Sequence, residues 1–173
     1  NMRTGIGLEA VGQRDPLAYP TEFQRFVASS FGLGLIPRRL RGSDAGAGTF
    51  GAALGAAIGG VLVATGAAWW ITAVTAVALT GISVWASRPF AGIHDDPGWV
   101  CIDETAGTVV ALIGLSGWPW LLALVVGRLG DIFKGRPGVA AAERLPGAGG
   151  ITADDILAGL YGLAAGWGLS VVL

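Results

Sequence analysis

Two pairs of adjacent carboxylates stand out in a chain that is otherwise strongly apolar. The pair Asp103-Glu104 is followed by an uncharged stretch over 105–127, and the pair Asp154-Asp155 by one over 156–173. Acidic side chains held next to each other repel, and they are costly to keep ionised where a helix enters a hydrocarbon layer. A divalent cation such as Mg2+, which prefers carboxylate oxygens, would offset this cost. The pattern therefore predicts metal-dependent chemistry at a membrane surface.

A further acidic residue lies between two cations on one predicted helix. Arg128, Asp131 and Lys134 are spaced i, i+3 and i+6, so they share one helix face. The two cations are suited to gripping phosphate oxygens, while Asp131 joins the other carboxylates on a metal ion. An ordinary ion pair along the helix, favourably placed for the helix dipole, explains the same spacing equally well. Both interpretations stay open at this point.

A polar loop just before the first acidic pair contains the only histidine of the chain, His94, followed by Asp95. Because histidine titrates near neutral pH, His94 is a candidate metal ligand or proton carrier. A solvated turn residue is the more common role of a lone histidine in such a loop. The glycine-rich stretch 147–150 would let backbone amides approach a phosphate, and a flexible linker explains it as well.

The composition places these residues in a membrane protein. The 173 residues are 53% hydrophobic and only 13% charged, with a mean hydropathy of +0.63, whereas about a quarter of the residues of an average soluble domain are charged. A formal net charge of -1 without a basic stripe argues against nucleic acid as a partner. The single cysteine, Cys101, excludes an internal disulfide and fits a reducing compartment. No signal peptide is evident in the first forty residues.

Uncharged stretches define the first two helices. The interval 45–87 carries no charge and, at about 1.5 Å per helical residue, suffices for two passes through a bilayer core of about 30 Å. Trp69-Trp70 marks the turn, because indoles favour the membrane interface, so we expect helices at about 49–67 and 71–86. Small residues at four-residue spacing let the first helix approach a neighbour closely, and packing is their simplest role: Gly51, Gly55 and Gly59.

The remaining apolar sequence predicts three more helices. A single helix from 102 to 133 would leave the two acidic pairs on opposite sides of the membrane, but Gly117–Pro119 interrupts it. We therefore expect a helix at about 102–115, a return at about 120–133 and a last crossing at about 153–172. All charged residues then fall on one face, which the positive-inside tendency makes cytoplasmic.

The expected fold class is an all-α, polytopic membrane helical bundle of about five apolar helices plus a possible N-terminal surface helix. The whole chain, 1–173, forms a single membrane-embedded domain, with a polar N-terminal segment over 1–44 and the bundle over 45–173. The surface helix would cover 21–35 and either lie along the membrane or be a plain cytoplasmic helix. Its apolar residues are expected to be buried at helical spacing: Phe23, Phe26, Val27 and Phe31.

Other ways of handling phosphate find no support in the sequence. Position 107, six residues after Cys101, is glycine rather than arginine, so a Cys-x5-Arg phosphatase loop is missing. An Asp-x-Asp nucleophile pair and a Gly-Lys-Ser/Thr nucleotide loop are also absent. A transporter would more often hold its ionisable groups near the middle of the bilayer. A magnesium site that handles a lipid phosphate fits the whole set best.

Four sequence blocks, taken in order, resemble the phosphatidylglycerophosphatase A family of bacterial membrane phosphatases. The likeness covers most of the chain after about residue 31. The blocks are Gly-Thr-Phe-Gly at 48–51, His-Asp at 94–95 followed by Asp-Glu-Thr-Ala-Gly at 103–107, Arg-Leu-Gly-Asp-Ile-Phe-Lys at 128–134, and Gly-Ile-Thr-Ala-Asp-Asp at 150–155. The resemblance implies a phosphoric monoester hydrolase that converts phosphatidylglycerophosphate to phosphatidylglycerol and inorganic phosphate. It also implies a multi-pass protein of the bacterial cytoplasmic (inner) membrane, with its active site on the cytoplasmic face.

The resemblance also suggests roles for individual residues. One or two Mg2+ would be held by five acids: Asp103, Glu104, Asp131, Asp154 and Asp155. The substrate phosphate would be bound by Thr49, Arg128 and Lys134. His94 or Asp95 would protonate the leaving oxygen or position the water, in a catalytic set that includes Asp103, Asp131 and Asp155. Water attack and an aspartyl-phosphate intermediate both stay open, and so does the oligomeric state.

Two other classes of function remain compatible with the sequence. A phosphatase acting on another lipid or on a soluble phosphoester would use the same metal cluster. A non-enzymatic membrane scaffold or an ion-handling protein would also place acids at helix ends.

Overall fold

The computed structural model describes residues 20–91, 97–133, 138, 145 and 147–173. Over these ranges the chain forms seven α-helices and two short 3-10 turns and has no β-strand, which confirms the all-α prediction. The helices are α1 Glu22–Ala28, α2 Ile36–Arg41, α3 Ala47–Ala64, α4 Trp69–Ser87, α5 Ile102–Ala111, α6 Gly117–Phe133 and α7 Ala148–Val172.

Three helices in the described part of the chain are long and apolar enough to cross a membrane: α3, α4 with the turn that extends it to Phe90, and α7. The prediction of about five apolar helices is therefore correct only in part. Helices lie near all five predicted positions, but α5 has ten residues and reaches only about 15 Å, half of a bilayer core. Helix α6 has 17 residues and carries Arg128 and Asp131 in its last turns.

The turns between these helices differ from the prediction by a few residues. Helix α5 ends at Ala111, earlier than expected, and α6 begins at Gly117. Gly114 and Gly117 both have positive φ, 70° and 59°, which glycine adopts without strain, so the chain reverses between them. Trp69-Trp70 begins α4 directly after the turn from α3.

Helix α5 lies at the centre of the bundle and packs against α3, α4 and α7. Eight of its ten residues are buried, so its polar first turn is held inside the protein. The spaced glycines of α3 allow this contact. A Cβ atom at Gly51 would overlap the carbonyl oxygen of Cys101, one at Gly55 would come within 2.7 Å of α5, and one at Gly59 within 2.7 Å of Leu112, which directly follows α5. These glycines therefore serve close helix packing.

Helix α7 packs on α5 and α6 through direct backbone contact. A Cβ atom at Gly107 would overlap the carbonyl oxygen of Asp155, and one at Gly159 would overlap that of Gly107. In the same way, a Cβ atom at Gly162 would overlap the carbonyl oxygen of Ala123 on α6. These crossings fix which residues of the three helices face each other.

The N-terminal helix is shorter than predicted, because α1 ends at Ala28 rather than near residue 35. Ser30, Phe31 and Gly32 all have positive φ, which a continuing α-helix does not allow. The Ser30 hydroxyl donates a 2.9 Å hydrogen bond to the carbonyl of Cys101 and so ties this turn to the start of α5. Within the protein Val27 is buried, whereas three residues are exposed on its surface: Phe23, Phe26 and Phe31. Their burial against a membrane stays a prediction.

Candidate active site

Three carboxylates from two helices meet near the N-terminal ends of α5 and α7. Ligand oxygens of Asp103, Glu104 and Asp155 all lie within 4.8 Å of one another. The first two belong to the first turn of α5, and the third follows the start of α7 by about two turns. The backbone contact at Gly107 explains the meeting, since it holds α7 against α5 one turn beyond Glu104.

This three-carboxylate cluster is largely removed from solvent. Asp103 and Asp155 are buried, and Asp155 faces the negative charges of Glu104, Asp131 and Asp154. The Oε2 atom of Glu104 is buried and has no hydrogen-bond partner among the described residues. Buried like charges and an unpartnered carboxylate oxygen are both costly unless a cation compensates them. The donor set fits a hard divalent cation, so the cluster could hold a metal ion.

Arg128 and Asp131 of α6 border the same site. The Nη1 atom of Arg128 forms an ion pair with the carboxylate of Asp131, and its Nη2 atom donates a 3.4 Å hydrogen bond to Thr49 Oγ1 on α3. A Cβ atom at Gly48 would overlap Glu104 Oε1 and would lie 3.1 Å from Arg128 Nη2. Gly48 therefore lets the start of α3 close the site between α5 and α6. The ion pair that the spacing predicted is present, and its arginine also reaches a second helix.

A narrow cavity joins these groups. Its charged end consists of Glu104, Asp131, Asp155 and Arg128, and its volume of about 10 Å³ is close to the room of one water molecule. The rest of its wall is small or apolar: Gly107, Thr108, Ala111, Leu124, Gly127, Ala158 and Gly159. The cavity thus presents carboxylates for a cation and a guanidinium for an anion within one confined space.

Three predicted site residues lie outside the described residues: His94, Asp95 and Lys134. Asp154 is buried beside Asp155, but the metal-competent group found in the described part of the chain comprises Asp103, Glu104 and Asp155. The sequence reasoning missed the roles of Gly48, Gly107 and Gly159 at this site. A usable signal existed for two of them, since Gly107 follows Glu104 and Gly159 follows Asp155 by one helical turn.

Cys101 lies directly before the acidic cluster but has a different character. Burial, with a smaller contribution from the nearby charge of Glu104, raises the pKa of its thiol to about 12. The thiol therefore stays protonated at neutral pH and is a poor nucleophile. This agrees with the missing Cys-x5-Arg loop.

The fold and the site together have the parts that metal-assisted phosphoryl chemistry at a membrane requires. Apolar helices are long enough to span a bilayer, a buried carboxylate cluster suits a cation, and an arginine suits phosphate oxygens. A model of the phosphatidylglycerophosphatase A family matches residues 26–170. The chain belongs to this family, whose name describes phosphoric monoester hydrolases that act on a phospholipid.

A more distant relative points to the same chemistry. The chain is 33% identical over 98 residues to a protein of Bacteroides thetaiotaomicron whose provisional name is phosphatidylinositol-3-phosphatase. The alignment covers 53% of this chain and 61% of that relative, so the chain spans less than two thirds of its length. No solved structure matches the chain.

Proposed function

We propose that this protein is a magnesium-dependent lipid phosphatase that hydrolyses the terminal phosphomonoester of phosphatidylglycerophosphate to phosphatidylglycerol and inorganic phosphate. The observation that carries the proposal is the shared cavity of Glu104, Asp155 and Arg128 in a chain of the phosphatidylglycerophosphatase A family. The carboxylates favour a cation, the guanidinium favours a phosphate, and the apolar helices favour a substrate that stays in the membrane.

The carboxylates of Asp103, Glu104 and Asp155 would hold the metal ion, and Asp131 and Asp154 are proposed to complete or support the site. An all-oxygen donor set is typical of Mg2+ rather than of a soft metal. When bound, Mg2+ supplies positive charge that offsets the charge of the phosphoryl oxygens.

The residues of the chain itself position the phosphate. Arg128 binds non-bridging oxygens and stabilises the charge that shifts towards the leaving glycerol oxygen. Asp131 and Thr49 contact the guanidinium from two helices and so hold it in place. On the basis of the sequence, Lys134 adds a second cation, and His94 or Asp95 protonates the leaving oxygen or positions the water.

The central experiment measures phosphate release from phosphatidylglycerophosphate by the purified protein. Asp155→Asn removes a metal-binding charge without changing volume and should abolish release, and EDTA should do the same until Mg2+ is restored. Glu22→Gln is the matched control, because Glu22 is exposed on α1 and far from the cluster in sequence. Unchanged turnover in a folded Asp155→Asn protein would refute the proposed role of the cluster.

The name of the Bacteroides relative favours a second candidate substrate, a phosphoinositide. A panel of phosphatidylglycerophosphate, phosphatidylinositol 3-phosphate and soluble glycerol phosphate separates the candidates, since all three would use the same cluster. Preference for the inositol lipid would replace the first substrate. Release from none of the three, with the protein folded and Mg2+ present, would favour a scaffold or ion-handling role.

We also place the active site on the cytoplasmic face of the bacterial inner membrane. The positive-inside tendency supports this orientation, because the described basic residues precede α3 or lie at the C-terminal ends of α4 and α6. Ser43 is exposed just before the start of α3, and the only native cysteine, Cys101, is buried. A Ser43→Cys protein should therefore react with a membrane-impermeant thiol reagent in inverted vesicles and not in intact cells. The reverse pattern would contradict the orientation.

A further inference from the structure

A second, larger cavity lies at the opposite ends of α3 and α6 from the active site. It has a volume of about 430 Å³ and is lined by Gly60, Val63 and Ala64 of α3 and by Trp118, Trp120 and Leu121 of α6. Its wall contains no charged side chain, and Trp118, at its edge, is 73% exposed. A space of this kind accepts hydrocarbon, and in a membrane it is open to lipid.

The cavity lies at a depth in the membrane that the acyl chain of a lipid bound at the active site would reach. Gly60 follows Thr49 on α3, and Trp118 precedes Arg128 on α6, each by a distance of about 15 Å at 1.5 Å per helical residue. That distance is about half of a bilayer core. A phospholipid with its phosphomonoester at Arg128 therefore has acyl chain at the depth of the cavity. Leu124 of the active-site wall and Leu121 of the cavity wall are one helical turn apart, so the two spaces share a continuous face of α6.

Gly60 makes no contact with another helix that would require a glycine at this position. Its neighbour Gly59 contacts Leu112, but a Cβ atom at Gly60 would meet no atom within 4 Å. Glycine inside a helix lowers helix stability relative to alanine. Gly81 on α4 faces open space in the same way, but Gly60 lies in the wall of the cavity, where a larger side chain would take the room of a ligand.

Trp120 provides a second observation. Its indole nitrogen is buried and lies 3.6 Å from the position of a Cβ atom at Gly59, on the packed side of α3. The part of Trp120 that lines the cavity is therefore its apolar ring. An aromatic ring offers a large apolar contact area to a hydrocarbon chain.

We infer that this cavity receives one acyl chain of the phospholipid substrate, which packs against the ring of Trp120. The inference rests on the proposed function, because it assigns the apolar part of the same substrate. It makes Gly60 and Trp120 determinants of acyl-chain specificity.

The test compares one lipid headgroup carrying palmitoyl chains with the same headgroup carrying butyryl chains, which are too short to fill the cavity. Gly60→Leu fills the space and should raise KM for the palmitoyl substrate by about 10-fold or more, with little change for the butyryl substrate. Gly81→Leu on α4 is the matched control, because a Cβ atom at Gly81 also meets nothing within 4 Å. It should behave as wild type with both substrates. An unchanged palmitoyl KM in Gly60→Leu would overturn the inference.

Trp120→Leu replaces the indole by a smaller apolar side chain. It should raise KM for the palmitoyl substrate by about 2- to 10-fold, because the acyl chain loses part of its apolar contact area. No change in this variant would contradict the packing of the chain against Trp120.

A binding readout separates this inference from the proposed function. A phosphomonoester lipid with a photoactivatable group in its acyl chain should label peptides from the ends of α3 and α6 in the inactive Asp155→Asn protein, and Gly60→Leu in that background should abolish the label. Labelling that is equally strong with a photoactivatable phosphatidylethanolamine would show that bulk lipid fills the cavity, which would overturn the inference. Absence of phosphate release with specific labelling intact would instead count against the proposed function alone.

Discussion

The two ends of α3 and α6 differ in charge and in free space. Around Glu104 and Arg128 the cavity measures about 10 Å³ and carries both signs of charge, whereas around Gly60 and Trp120 it measures about 430 Å³ and is apolar. A reacting phosphoryl group requires fixed charges in a fixed geometry, and crowding supplies them. A hydrocarbon chain requires apolar area without directional contacts. The two ends therefore suit the two chemically different parts of a phospholipid.

Two kinds of glycine occur in the bundle. Near the active site, Gly48 and Gly107 lie so close to neighbouring groups that a Cβ atom would overlap them. At the other end, Gly60 and Gly117 face open space. Glycines of the first kind set the spacing of helices, and those of the second kind set the size of a cavity. Substitutions that affect one kind and spare the other test whether this distinction holds.

Among the substitutions that compare the two ends, Glu104→Gln should have the largest effect, because it removes one charge of the carboxylate cluster at nearly constant volume. Phosphate release should fall by about 10³-fold, because loss of a charged group that acts in the transition state costs this order of rate. The loss should be equal for long-chain and short-chain substrates, since both use the same charged end. Leu121→Ala is the control from the apolar end and should leave short-chain turnover unchanged. A loss confined to long-chain substrates would contradict the separation of the two ends.

Arg128→Lys should have the next largest effect. Lysine keeps the charge but lacks the planar fork that reaches Asp131, Thr49 and a phosphate at once. We expect kcat/KM to fall by about 10- to 100-fold, in keeping with a loss of roughly 1.5–3 kcal/mol for a charge-assisted hydrogen bond. Arg25→Lys on the exposed α1 pair is the control. Wild-type kcat/KM in Arg128→Lys would show that the guanidinium acts as a simple point charge.

A pair of identical substitutions compares the two kinds of glycine directly. Gly107→Ala places a methyl group on the carbonyl oxygen of Asp155 and should destabilise the protein by about 1–3 kcal/mol, as overpacking does. Gly60→Ala has free space and should be neutral or stabilising by up to about 1 kcal/mol, because alanine is the better helix former. Thermal unfolding in detergent measures both. Equal melting temperatures for the two variants would contradict the distinction between packed and open glycines.

Pairs of adjacent residues show how much of the structure could be predicted from the sequence. Uncharged stretches located the helices of the bundle, because few residues other than apolar ones can fill helices of that length in a membrane. The sequence could not distinguish Gly59 from Gly60, although Gly59 contacts Leu112 and Gly60 faces a cavity. It likewise offered Asp154 and Asp155 as a pair, whereas the described metal-competent group contains Asp155. Adjacent helical residues point about 100° apart, and only the packing of α7 decides which of them faces the site.

The early end of α1 had a similar cause. The apolar spacing of Phe23, Phe26 and Phe31 is typical of an amphipathic helix, but the turn at Ser30 depends on its hydrogen bond to Cys101, a residue far away in sequence. A contact between residues so far apart in sequence produces no pattern in the sequence around either of them. The short α5 is a related case, since its end follows from the turn at Gly114 and not from a change in hydropathy.

The smallest effect that still separates the two ends is expected from Thr49→Val. Valine has nearly the same shape but cannot accept the 3.4 Å hydrogen bond from Arg128, so the guanidinium loses its contact with α3 at this position. A single hydrogen bond of this kind contributes about 0.5–1.5 kcal/mol, so kcat/KM should fall by about 2- to 10-fold for long-chain and short-chain substrates alike. Thr75→Val on α4 is the matched control, because the Thr75 hydroxyl donates a 2.8 Å hydrogen bond to the carbonyl of Ile71 in its own helix. If both variants lowered kcat/KM equally, the effect would come from loss of a helix hydroxyl in general and not from the position of Arg128.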